Sequence, residues 1–548
     1  MGGQSQPPWH TLRMIGPAAK QHQVEIQVAM STNDLHRPLY VPDLLANALN
    51  QTPNAPLLQL EGGPMLTVRD VRDATSQFIQ ALRKLGVGPD SRVSILSSNR
   101  PEVLHVSHAN ALLAASSVPM HPLASLADHL YILRDAHANV LVFDPTRFEA
   151  RAKELAQEIP DLKLIALGES DIAENLCTLA AACEPGPLVP PRVTGDKVTR
   201  HSYSGGTTGK PKAMAHNERV GLQVVSILLA EWEWPSPLRV LSCAPLSHAG
   251  VAMVLPTLMK QGTMLIQPGF EPVAVMEAIQ EYKITSMLVV PTMLYALLDH
   301  PRFDEFDLSS LQTVFYGASS ISPVRLKEAI ERIGPVFFQF YGQAEAPMSI
   351  TVMRKAEHDT SDMRRLASCG RPVPWVRVEL MDSEMNPVPD GEPGEICVQG
   401  PLVIDGYRDN PELTAEVFAG GWLHTGDVAV RDPDGFLRIV DRTKDMIVSG
   451  GFNIYPREIE DIISQHPLVS QVSVIGVPHE KWGEAVMALI VPRGEALPLV
   501  EDIKTLVAEQ KGKFQAPKFV EFIDAIPQTP VGKPDKKALR KRFGQASS

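Results

Sequence analysis

Several features are scarce in this chain of 548 residues, and each scarcity excludes a class of protein. Its five cysteines are scattered and form no Cys-x-x-Cys pair, which excludes a disulfide framework and a zinc site of the usual spacing. No segment reaches the ~18 uninterrupted apolar residues of a membrane-spanning helix, and the N-terminus lacks the apolar stretch of a signal peptide. We therefore expect a cytoplasmic protein without integral membrane association.

Positive charge is also in deficit. The chain carries 51 Lys and Arg against 63 Asp and Glu, a net charge of -12, so that it repels a phosphate backbone as a whole. One basic cluster lies near the C-terminus, at Lys536, Lys537, Arg540, Lys541 and Arg542. Such a run is usually the solvated face of a helix. We therefore expect no nucleic-acid partner.

The first two thirds of the chain show the pattern of an α/β protein. A helical pattern begins at Thr67, which can form a capping pair with Asp70, and the short apolar run Val93–Leu96 follows it. Apolar runs and amphipathic helices continue to alternate to about Phe340. This alternation predicts parallel sheets covered by helices.

The pattern changes near Pro372. Short alternating strands separated by Asp, Pro and Gly turns predict a small β-rich subdomain, and a helix at 456–464 followed by two strands predicts a separate α+β domain. The predicted organisation is an N-terminal extension (1–38), a large domain (39–440), a hinge (441–445) and a small mobile domain (446–548).

A glycine-rich run is the strongest local signal. Residues 203–212 read Tyr-Ser-Gly-Gly-Thr-Thr-Gly-Lys-Pro-Lys and follow a predicted strand, Val198–Tyr203. Glycines let backbone N–H groups approach an anion, hydroxyl groups add donors and Lys212 adds charge, so the run suits a triphosphate. Its spacing differs from that of a Walker A loop. Taken alone, the run is also compatible with a flexible surface turn.

Three further positions suggest chemistry, although each has an ordinary alternative. Glu345 follows an apolar strand, where ligands bind in open α/β folds, but a glutamate at a strand end is usually solvated. Asp427 follows a tight turn and suits ribose hydroxyl groups, but a Gly-Asp pair is usually a simple turn. Lys533 lies on a loop with a glycine hinge, but a lysine near a C-terminus is usually a surface charge.

Together and in this order, these segments resemble the adenylate-forming superfamily of acyl-CoA synthetases, nonribosomal-peptide adenylation domains and luciferases. The resemblance extends from about Leu39 to Arg540. It is carried by the segments 204–212, 245–248, 316–319, 341–345, 425–427, 441–445, 450–456 and 532–533.

The resemblance implies a nucleotide site. The ATP phosphates would be held by Ser204, Gly205, Gly206, Thr207, Thr208, Gly209 and Lys212. Tyr341 would lie against the adenine, Gly317 would border the adenine and acyl sites, and Asp427 and Arg442 would engage the ribose.

The resemblance also implies catalytic groups. Glu345 would bind Mg²⁺, and Lys533 would contact the carboxylate and the α-phosphate. These roles agree with the chemistry, because a carboxylate that attacks an α-phosphate brings negative charges together. Pyrophosphate would leave, and an acyl-adenylate would form.

A second half-reaction with the thiol of coenzyme A would follow a rotation of the small domain. By the resemblance, Lys444 would be the hinge residue, and Gly450 and Gly451 would leave room for the pantetheine arm. The alternative for Lys444 is an ordinary solvated linker lysine.

The acid pocket is less well indicated. His248, Tyr316 and Phe340 are candidate pocket walls, and a ring at Phe340, where relatives have a small glycine, would favour a short, medium-chain or cyclic acid. Phe340 could equally point into the core. Ala344 stands where a threonine is common, which would remove a hydroxyl group that bonds phosphate.

The leading hypothesis is therefore an acid–thiol ligase that forms AMP, converting a carboxylic acid with ATP, Mg²⁺ and coenzyme A into acyl-CoA in fatty-acid or aromatic-acid metabolism. The alternative is a ligase that loads the phosphopantetheine arm of a carrier protein. A third hypothesis is a non-catalytic nucleotide-binding protein on the same fold. A homodimer is compatible with all three.

Overall fold

The computed structural model describes residues 35–204, 212–442, 445–449, 452–479, 482–494, 496–529 and 533–544. By its internal contacts the chain divides into the units Met1–Leu39 and Tyr40–Ser548. Of the first unit, the structure describes residues 35–39, which contain a turn. The predicted N-terminal extension therefore lies largely outside the described residues, and the elements below belong to the second unit.

The strands of the second unit are short and are numbered here in chain order. They are β1 (Pro56–Leu60), β2 (Met65–Thr67), β3 (Arg92–Leu96), β4 (Ser116–Pro119), β5 (Val140–Phe143), β6 (Lys163–Ala166), β7 (Glu174–Asn175), β8 (Val198–Ser204), β9 (Lys212–Asn217), β10 (Arg239–Ser242), β11 (Thr263–Ile266), β12 (Ser286–Val289), β13 (Thr313–Gly317), β14 (Phe337–Tyr341), β15 (Thr351–Met353), β16 (Arg371–Pro372), β17 (Arg377–Met381), β18 (Pro393–Gln399), β19 (Leu423–Arg431), β20 (Leu437–Arg442), β21 (Ile447–Ser449), β22 (Phe452–Ile454), β23 (Val469–His479), β24 (Gly483–Pro492) and β25 (Phe519–Phe522).

Helices separate most of these strands. They are α1 (Val41–Leu49), α2 (Val68–Lys84), α3 (Pro101–Leu112), α4 (Leu126–Asp135), α5 (Pro145–Glu158), α6 (Leu176–Ala181), α7 (Glu218–Glu231), α8 (Val254–Met259), α9 (Pro272–Tyr282), α10 (Pro291–Leu298), α11 (Pro323–Ile333), α12 (Met363–Leu366), α13 (Pro411–Val417), α14 (Pro456–Ile463), α15 (Val500–Lys511) and α16 (Lys536–Phe543). Short 3-10 turns lie at Ala249–Met253, Phe303–Glu305, Lys355–Glu357 and Ala419–Gly421.

Two large sheets form the N-terminal part. Sheet A has nine strands in the order β16-β15-β14-β13-β12-β10-β11-β1-β2, and sheet B has seven in the order β7-β6-β5-β3-β4-β8-β9. The inner strands of both sheets pair in parallel, and antiparallel pairs lie at the edges. Inner strands such as β5 and β12 are buried along their whole length, as expected of a sheet covered on both faces.

Parallel pairing brings the candidate segments to the ends of strands. The predicted phosphate loop begins where β8 ends at Ser204, and the segment with Glu345 begins where β14 ends at Tyr341. Ligands bind at the carboxyl ends of strands in folds of this kind. The fold therefore presents both segments where a nucleotide would be expected.

Two smaller antiparallel sheets follow. Sheet C has the order β17-β18-β19-β20 and is the predicted β-rich subdomain. Sheet D combines the long hairpin β23–β24 with β21 and β22, and β25 pairs in parallel with β24. Helices α14, α15 and α16 contribute buried side chains to the two cores of this last part.

The fold class is confirmed. The structure is a mixed α/β protein with a large N-terminal part built on parallel sheets and a smaller C-terminal α+β part. None of the helices in the described ranges is long and apolar enough to cross a bilayer. The mobility of the small domain and the boundaries 39–440, 441–445 and 446–548 stay predictions.

Candidate active site

The two ends of the predicted phosphate loop are held together by a strand pair. Ser204 at the end of β8 faces Lys212 at the start of β9 in antiparallel register. The Lys212 ammonium nitrogen lies 5.5 Å from the centre of the Tyr407 ring, within the range of a cation–π contact. Between these ends, Gly205, Gly206, Thr207, Thr208 and Gly209 lie outside the described residues.

Glu345 is held by a hydrogen bond from a distant tyrosine. The Tyr407 hydroxyl donates to Glu345 Oε1 over 2.6 Å. Burial and then the Glu345 charge raise the pKa of Tyr407, so that the phenol keeps its proton. Lys212, Tyr407 and Glu345 thus form one group that joins the start of β9 to the loop after β14. A carboxylate oxygen is a ligand that Mg²⁺ prefers, so the donor chemistry here fits that ion.

Asp427 accepts two hydrogen bonds from the segment after β14. Its Oδ2 accepts from the Tyr341 hydroxyl over 2.7 Å and from the Gln343 amide over 2.6 Å, and the carboxylate is 4% exposed. Burial and then the Asp427 charge raise the pKa of Tyr341 well above its usual range. The structure therefore brings together Tyr341 and Asp427, the predicted adenine and ribose residues.

Arg442, the second predicted ribose residue, lies next to Asp427 in the sheet. Strands β19 and β20 pair Asp427 with Arg442 in antiparallel register. The side chain of Arg442 lies outside the described residues, so its predicted contact with the ribose stays a prediction.

The segment of β19 that carries Asp427 is supported from strand β18. Glu395 Oε1 accepts from the Gly426 backbone N–H over 2.7 Å, and Glu395 Oε2 lies 2.8 Å from His424 Nδ1. Thr425 Oγ1 donates to the Ile396 carbonyl over 2.7 Å. Gly426 has φ of +69°, a conformation that favours glycine. The Gly-Asp pair was expected in a tight turn but lies within β19, where the pairing with β18 shifts register and several hydrogen bonds fix the backbone.

Gly317 is required by a close approach of β14. A Cβ placed on Gly317 would lie 2.3 Å from the Phe340 carbonyl oxygen and 2.9 Å from a carbon of the Phe340 ring. Phe340 is 4% exposed, and its ring stacks on Trp232 with centroids 4.9 Å apart. The Phe340 ring therefore occupies the space beside Gly317 and belongs to an aromatic cluster.

The other two candidate pocket residues lie apart from Phe340. Tyr316 is fully buried on the opposite face of sheet A, where its hydroxyl lies 2.9 Å from His358 Nε2. His248 is partly buried beside His121, with ring centroids 4.9 Å apart. Burial, and then the neighbouring His121, lower the pKa of His248 to about 3. Tyr316 and Phe340 therefore do not line one common wall.

The C-terminal candidates are described in part. Lys533 is partly buried, and its backbone closes a turn with Thr529, whose N–H donates to the Lys533 carbonyl over 2.7 Å. The hinge residue Lys444 and the glycines Gly450 and Gly451 lie outside the described residues. Their roles, like that of Lys533, stay predictions.

Helix α14 contacts the large N-terminal part close to the nucleotide segments. The Arg457 guanidinium donates to the Ile321 carbonyl, and the hydroxyl groups of Ser322 and Ser464 lie 3.2 Å apart. Residues 321 and 322 follow the segment 316–319, which was predicted to border the adenine. The C-terminal part thus packs beside that segment in this structure.

Sequence reasoning missed several of these residues. Tyr407 binds Glu345 from 62 positions away, and no motif marks it. Glu395 acts from 31 positions away from Gly426. Gln343 was within the quoted motif but had no assigned role, although its amide is a hydrogen-bond donor two residues after Tyr341.

Comparison with protein families identifies the class. The family described as AMP-binding enzyme matches residues 45–408, and the AMP-binding enzyme C-terminal domain matches residues 458–533. The chain belongs to the AMP-binding enzyme family, and the predicted membership of the adenylate-forming superfamily is confirmed.

Individual relatives agree with this class. The chain is 48% identical over 527 residues to a medium/long-chain-fatty-acid–CoA ligase of Mycobacterium tuberculosis, in an alignment that covers 94% of this chain and 92% of that protein. It is 37% identical over 486 residues to a feruloyl-CoA synthase of Amycolatopsis, with 88% and 95% covered.

A solved structure shows the same fold. The amide bond synthetase McbA from Marinactinospora thermotolerans is 32% identical, with a TM-score of 0.83 and coverage of 91% of this chain and 99% of that one.

The comparisons confirm the predicted activity at the level of its class. The protein is an AMP-forming acid–thiol ligase, because both family domains are present and the two sequence relatives described above are a fatty-acid–CoA ligase and a feruloyl-CoA synthase. The use of ATP and coenzyme A and of a small-molecule carboxylic acid follows from that class.

Proposed function

We propose that this protein activates a medium-chain fatty acid with ATP and transfers it to coenzyme A. The observation that carries the choice of acid is the Phe340 ring beside Gly317, stacked on Trp232. A ring in that position shortens any acyl pocket on this face of sheet A. The relative that is 48% identical is named for medium- and long-chain acids, which supports an aliphatic substrate.

For the nucleotide, we propose that the loop 204–212 holds the phosphates and that Tyr341 and Asp427 hold adenine and ribose. The hydrogen bond between Tyr341 and Asp427 supports these roles, because it fixes the ring and the carboxylate side by side. Gln343 donates to the same carboxylate oxygen and keeps its position. Arg442 joins the ribose site from the neighbouring strand.

We propose Mg²⁺ as the metal cofactor and Glu345 as its ligand. When bound, Mg²⁺ supplies positive charge at the phosphate oxygens, where negative charge develops. The hydrogen bond from Tyr407 occupies Glu345 Oε1 and restrains the orientation of the carboxylate. Lys212, beside the same tyrosine, supplies a second cation at that loop.

In the first step, the acid carboxylate attacks the α-phosphate, the bond from that phosphate to pyrophosphate breaks, and the acyl-adenylate forms. We propose that Lys533 lies against the carboxylate and α-phosphate in this step, where its charge offsets that of the reacting oxygens. Before the second step, the small domain turns about Lys444 and presents Gly450 and Gly451. The thiol of coenzyme A then attacks the acyl carbon, and AMP leaves.

The cellular location of the enzyme and the acceptor of the acyl group are also proposals. We propose that the enzyme works in the cytoplasm, in keeping with five free cysteines. Coenzyme A is the proposed acceptor because the relatives described above include two CoA ligases. A carrier protein and a second copy of the chain are the alternative partners.

The test is a comparison of acids with purified protein and Mg-ATP. Saturated acids of increasing length, ferulate and indoleacetate would be supplied with coenzyme A or with a phosphopantetheinylated carrier protein, and products measured by mass spectrometry. We expect the medium-chain acids to have the highest kcat/KM for formation of acyl-CoA. A higher value for ferulate or for a long-chain acid contradicts the proposed acid, and acyl transfer to the carrier protein alone contradicts the proposed acceptor.

A further inference from the structure

Arg200 is a cation in the interior of the large part for which the activity described so far has no use. It lies on β8, its side chain is partly buried, and its Nε donates to Ser202 Oγ over 3.0 Å. Its Nη2 donates to the Ser247 carbonyl over 2.9 Å. Across the parts of the chain that the structure describes, no carboxylate pairs with it.

This lack of a counter-charge is unusual for an arginine in such a place. Charged side chains that leave water are normally paired, because an isolated charge loses its hydration. Arg325, on helix α11, shows the normal arrangement, since its side chain is 4% exposed and its Nη2 lies 2.6 Å from Asp299 Oδ1. Burial lowers the pKa of Arg200 to about 10, which leaves it charged at neutral pH.

A chain of hydrogen bonds links Arg200 to the loop that carries Glu345. Ser202 Oγ lies 3.4 Å from His216 Nδ1, and His216 Nε2 lies 2.7 Å from the Ala344 carbonyl. A carbonyl only accepts, so Nε2 carries the hydrogen and Nδ1 accepts from the serine hydroxyl. Burial, and then Arg200, lower the pKa of His216 to about 4, so the ring is neutral.

The other side of Arg200 meets the predicted acid pocket. Ser247, whose carbonyl binds the guanidinium, precedes His248, and the Ser247 hydroxyl lies 2.8 Å from His248 Nδ1. The guanidinium thus lies between the candidate pocket residue His248 and the candidate Mg²⁺ loop. Its orientation is fixed by two partners, and both are neutral.

We propose that Arg200 binds an oxyanion of a reactant during adenylation, and that this oxyanion is the carboxylate of the acid. A guanidinium held in a fixed fork matches a carboxylate with two parallel hydrogen bonds. The inference rests on the proposed function, because the acid and ATP are the anions that the reaction brings to this cleft.

The position along β8 favours the carboxylate over the phosphates. Arg200 precedes Ser204, where the phosphate loop begins, by four residues, a separation of about 13 Å at ~3.3 Å per residue. The side chain reaches along β8 to Ser202 and across to the Ser247 carbonyl, and it does not extend to Ser204. The contact with Ser247 places the guanidinium beside the residue that precedes His248.

The test compares a carboxylate with its neutral amide. Binding of octanoate and of octanamide would be measured by calorimetry for the wild type, Arg200→Gln, Arg200→Lys and the control Arg302→Gln, an exposed arginine paired with Glu305. The preference is the ratio of the affinity for octanoate to the affinity for octanamide. We expect Arg200→Gln to lower this ratio at least about 10-fold while its affinity for octanamide stays the same. Arg200→Lys should keep part of that preference, because it keeps the charge.

The kinetics of ATP provide the second arm. We expect an unchanged KM for ATP in all variants. An unchanged preference for octanoate in both Arg200 variants overturns the proposal. If the KM for ATP is then raised, the oxyanion that Arg200 binds is a phosphate of ATP. Loss of thermal stability alone does not alter the preference between two ligands. Failure of the proposed function would appear separately, as a wild type that forms no acyl-CoA.

Discussion

At the scale of single residues, Tyr407 positions two charged side chains of the candidate active site. Its hydroxyl is bonded to Glu345 and its ring lies beside Lys212. The phenol is therefore a positioning group for two charges of opposite sign. No motif contains it, yet it contacts both charged groups.

We predict that Tyr407→Phe slows adenylation about 10-fold, because it removes a hydrogen bond to a charged group worth ~1.5 to 3 kcal/mol while keeping the ring beside Lys212. Pyrophosphate release at several Mg²⁺ concentrations measures this. Tyr282→Phe, a partly buried tyrosine in another cluster, is the control. An unchanged rate and Mg²⁺ requirement would show that Glu345 needs no such support.

A second prediction concerns Phe340. Phe340→Ala should lower the free energy of unfolding by about 3 to 5 kcal/mol and extend the accepted acids toward longer chains, because it removes the ring beside Gly317. Thermal unfolding and kcat/KM for a series of acids measure the two effects. Phe337→Ala, on the other face of β14, should show the first effect without the second. The same chain-length profile in both variants would assign Phe340 to the core alone.

The residues that could be predicted from the sequence are those with a local signal. The glycine-rich run, the glutamate after an apolar strand and the Gly-Asp pair are each visible within a few positions. Tyr407 and Arg200 act across 62 and 47 positions, so their contacts exist only after folding. A weak signal did mark Arg200, namely a charged residue inside a predicted strand.

Among the elements, α2 and α3 form a helix pair with an unusual interface. The His105 ring on α3 lies against Phe78 on α2, with centroids 5.4 Å apart. Nδ1 of His105 and Nδ1 of His108 are buried and find no hydrogen-bond partner in the described ranges. Burial lowers the pKa of His105 to about 4 and that of His108 to about 3.

We predict that these histidines make the fold sensitive to acid. Because both folded pKa values lie below the unfolded value of ~6.5, the unfolded chain binds protons first, so stability is complete above pH ~6.5 and falls as pH drops toward 4. At pH 5 each histidine should cost about 2 kcal/mol. Urea unfolding at pH 7 and pH 5 measures the loss.

The double variant His105→Gln, His108→Gln should lose less stability over the same pH interval, since neither side chain titrates there. The control is His137→Asn, an exposed histidine at φ +49° where asparagine is tolerated. An equal pH dependence in the double variant and the wild type would assign the acid sensitivity to other groups.

The helices and strands were predicted more completely than the side of the sheet on which each side chain lies. Thr67 caps α2 through the expected reciprocal bonds with Asp70, and the alternation of strands and helices gave the parallel sheets. The side of the sheet on which Tyr316 lies was not predictable, because β13 is buried on both faces and its alternation carries no polar signal.

For the whole molecule, the contact of α14 with the large part is the feature that bears on two-step chemistry. The Arg457 guanidinium donates to the Ile321 carbonyl and lies 2.8 Å from Asp461. Arg438 on β20 lies 3.5 Å from Glu458 on the same helix. The Arg457–Asp461 pair lies within α14, whereas the contacts of Arg457 with Ile321 and of Glu458 with Arg438 cross to the large part and are polar, which suits an interface that forms and breaks.

We predict that Arg457→Ala loosens this interface. Limited trypsin digestion should then cut the predicted hinge 441–445 several times faster, because the C-terminal part is held by fewer contacts. Lys504→Ala, a partly exposed residue of α15 paired with Glu501, is the control. Equal cleavage rates in Arg457→Ala and the wild type would show that this contact does not hold the domains together.

The central claim is that the small domain uses Lys533 in the first half-reaction and presents Gly450 and Gly451 in the second. Lys533→Ala tests this claim most directly. Pyrophosphate release from acid and ATP would be measured beside acyl-CoA formation from supplied acyl-adenylate. The account predicts a loss of about 100-fold or more in the first reaction and little change in the second, because the Lys533 charge is needed only while the carboxylate attacks the phosphate. An equal loss in both half-reactions would contradict it.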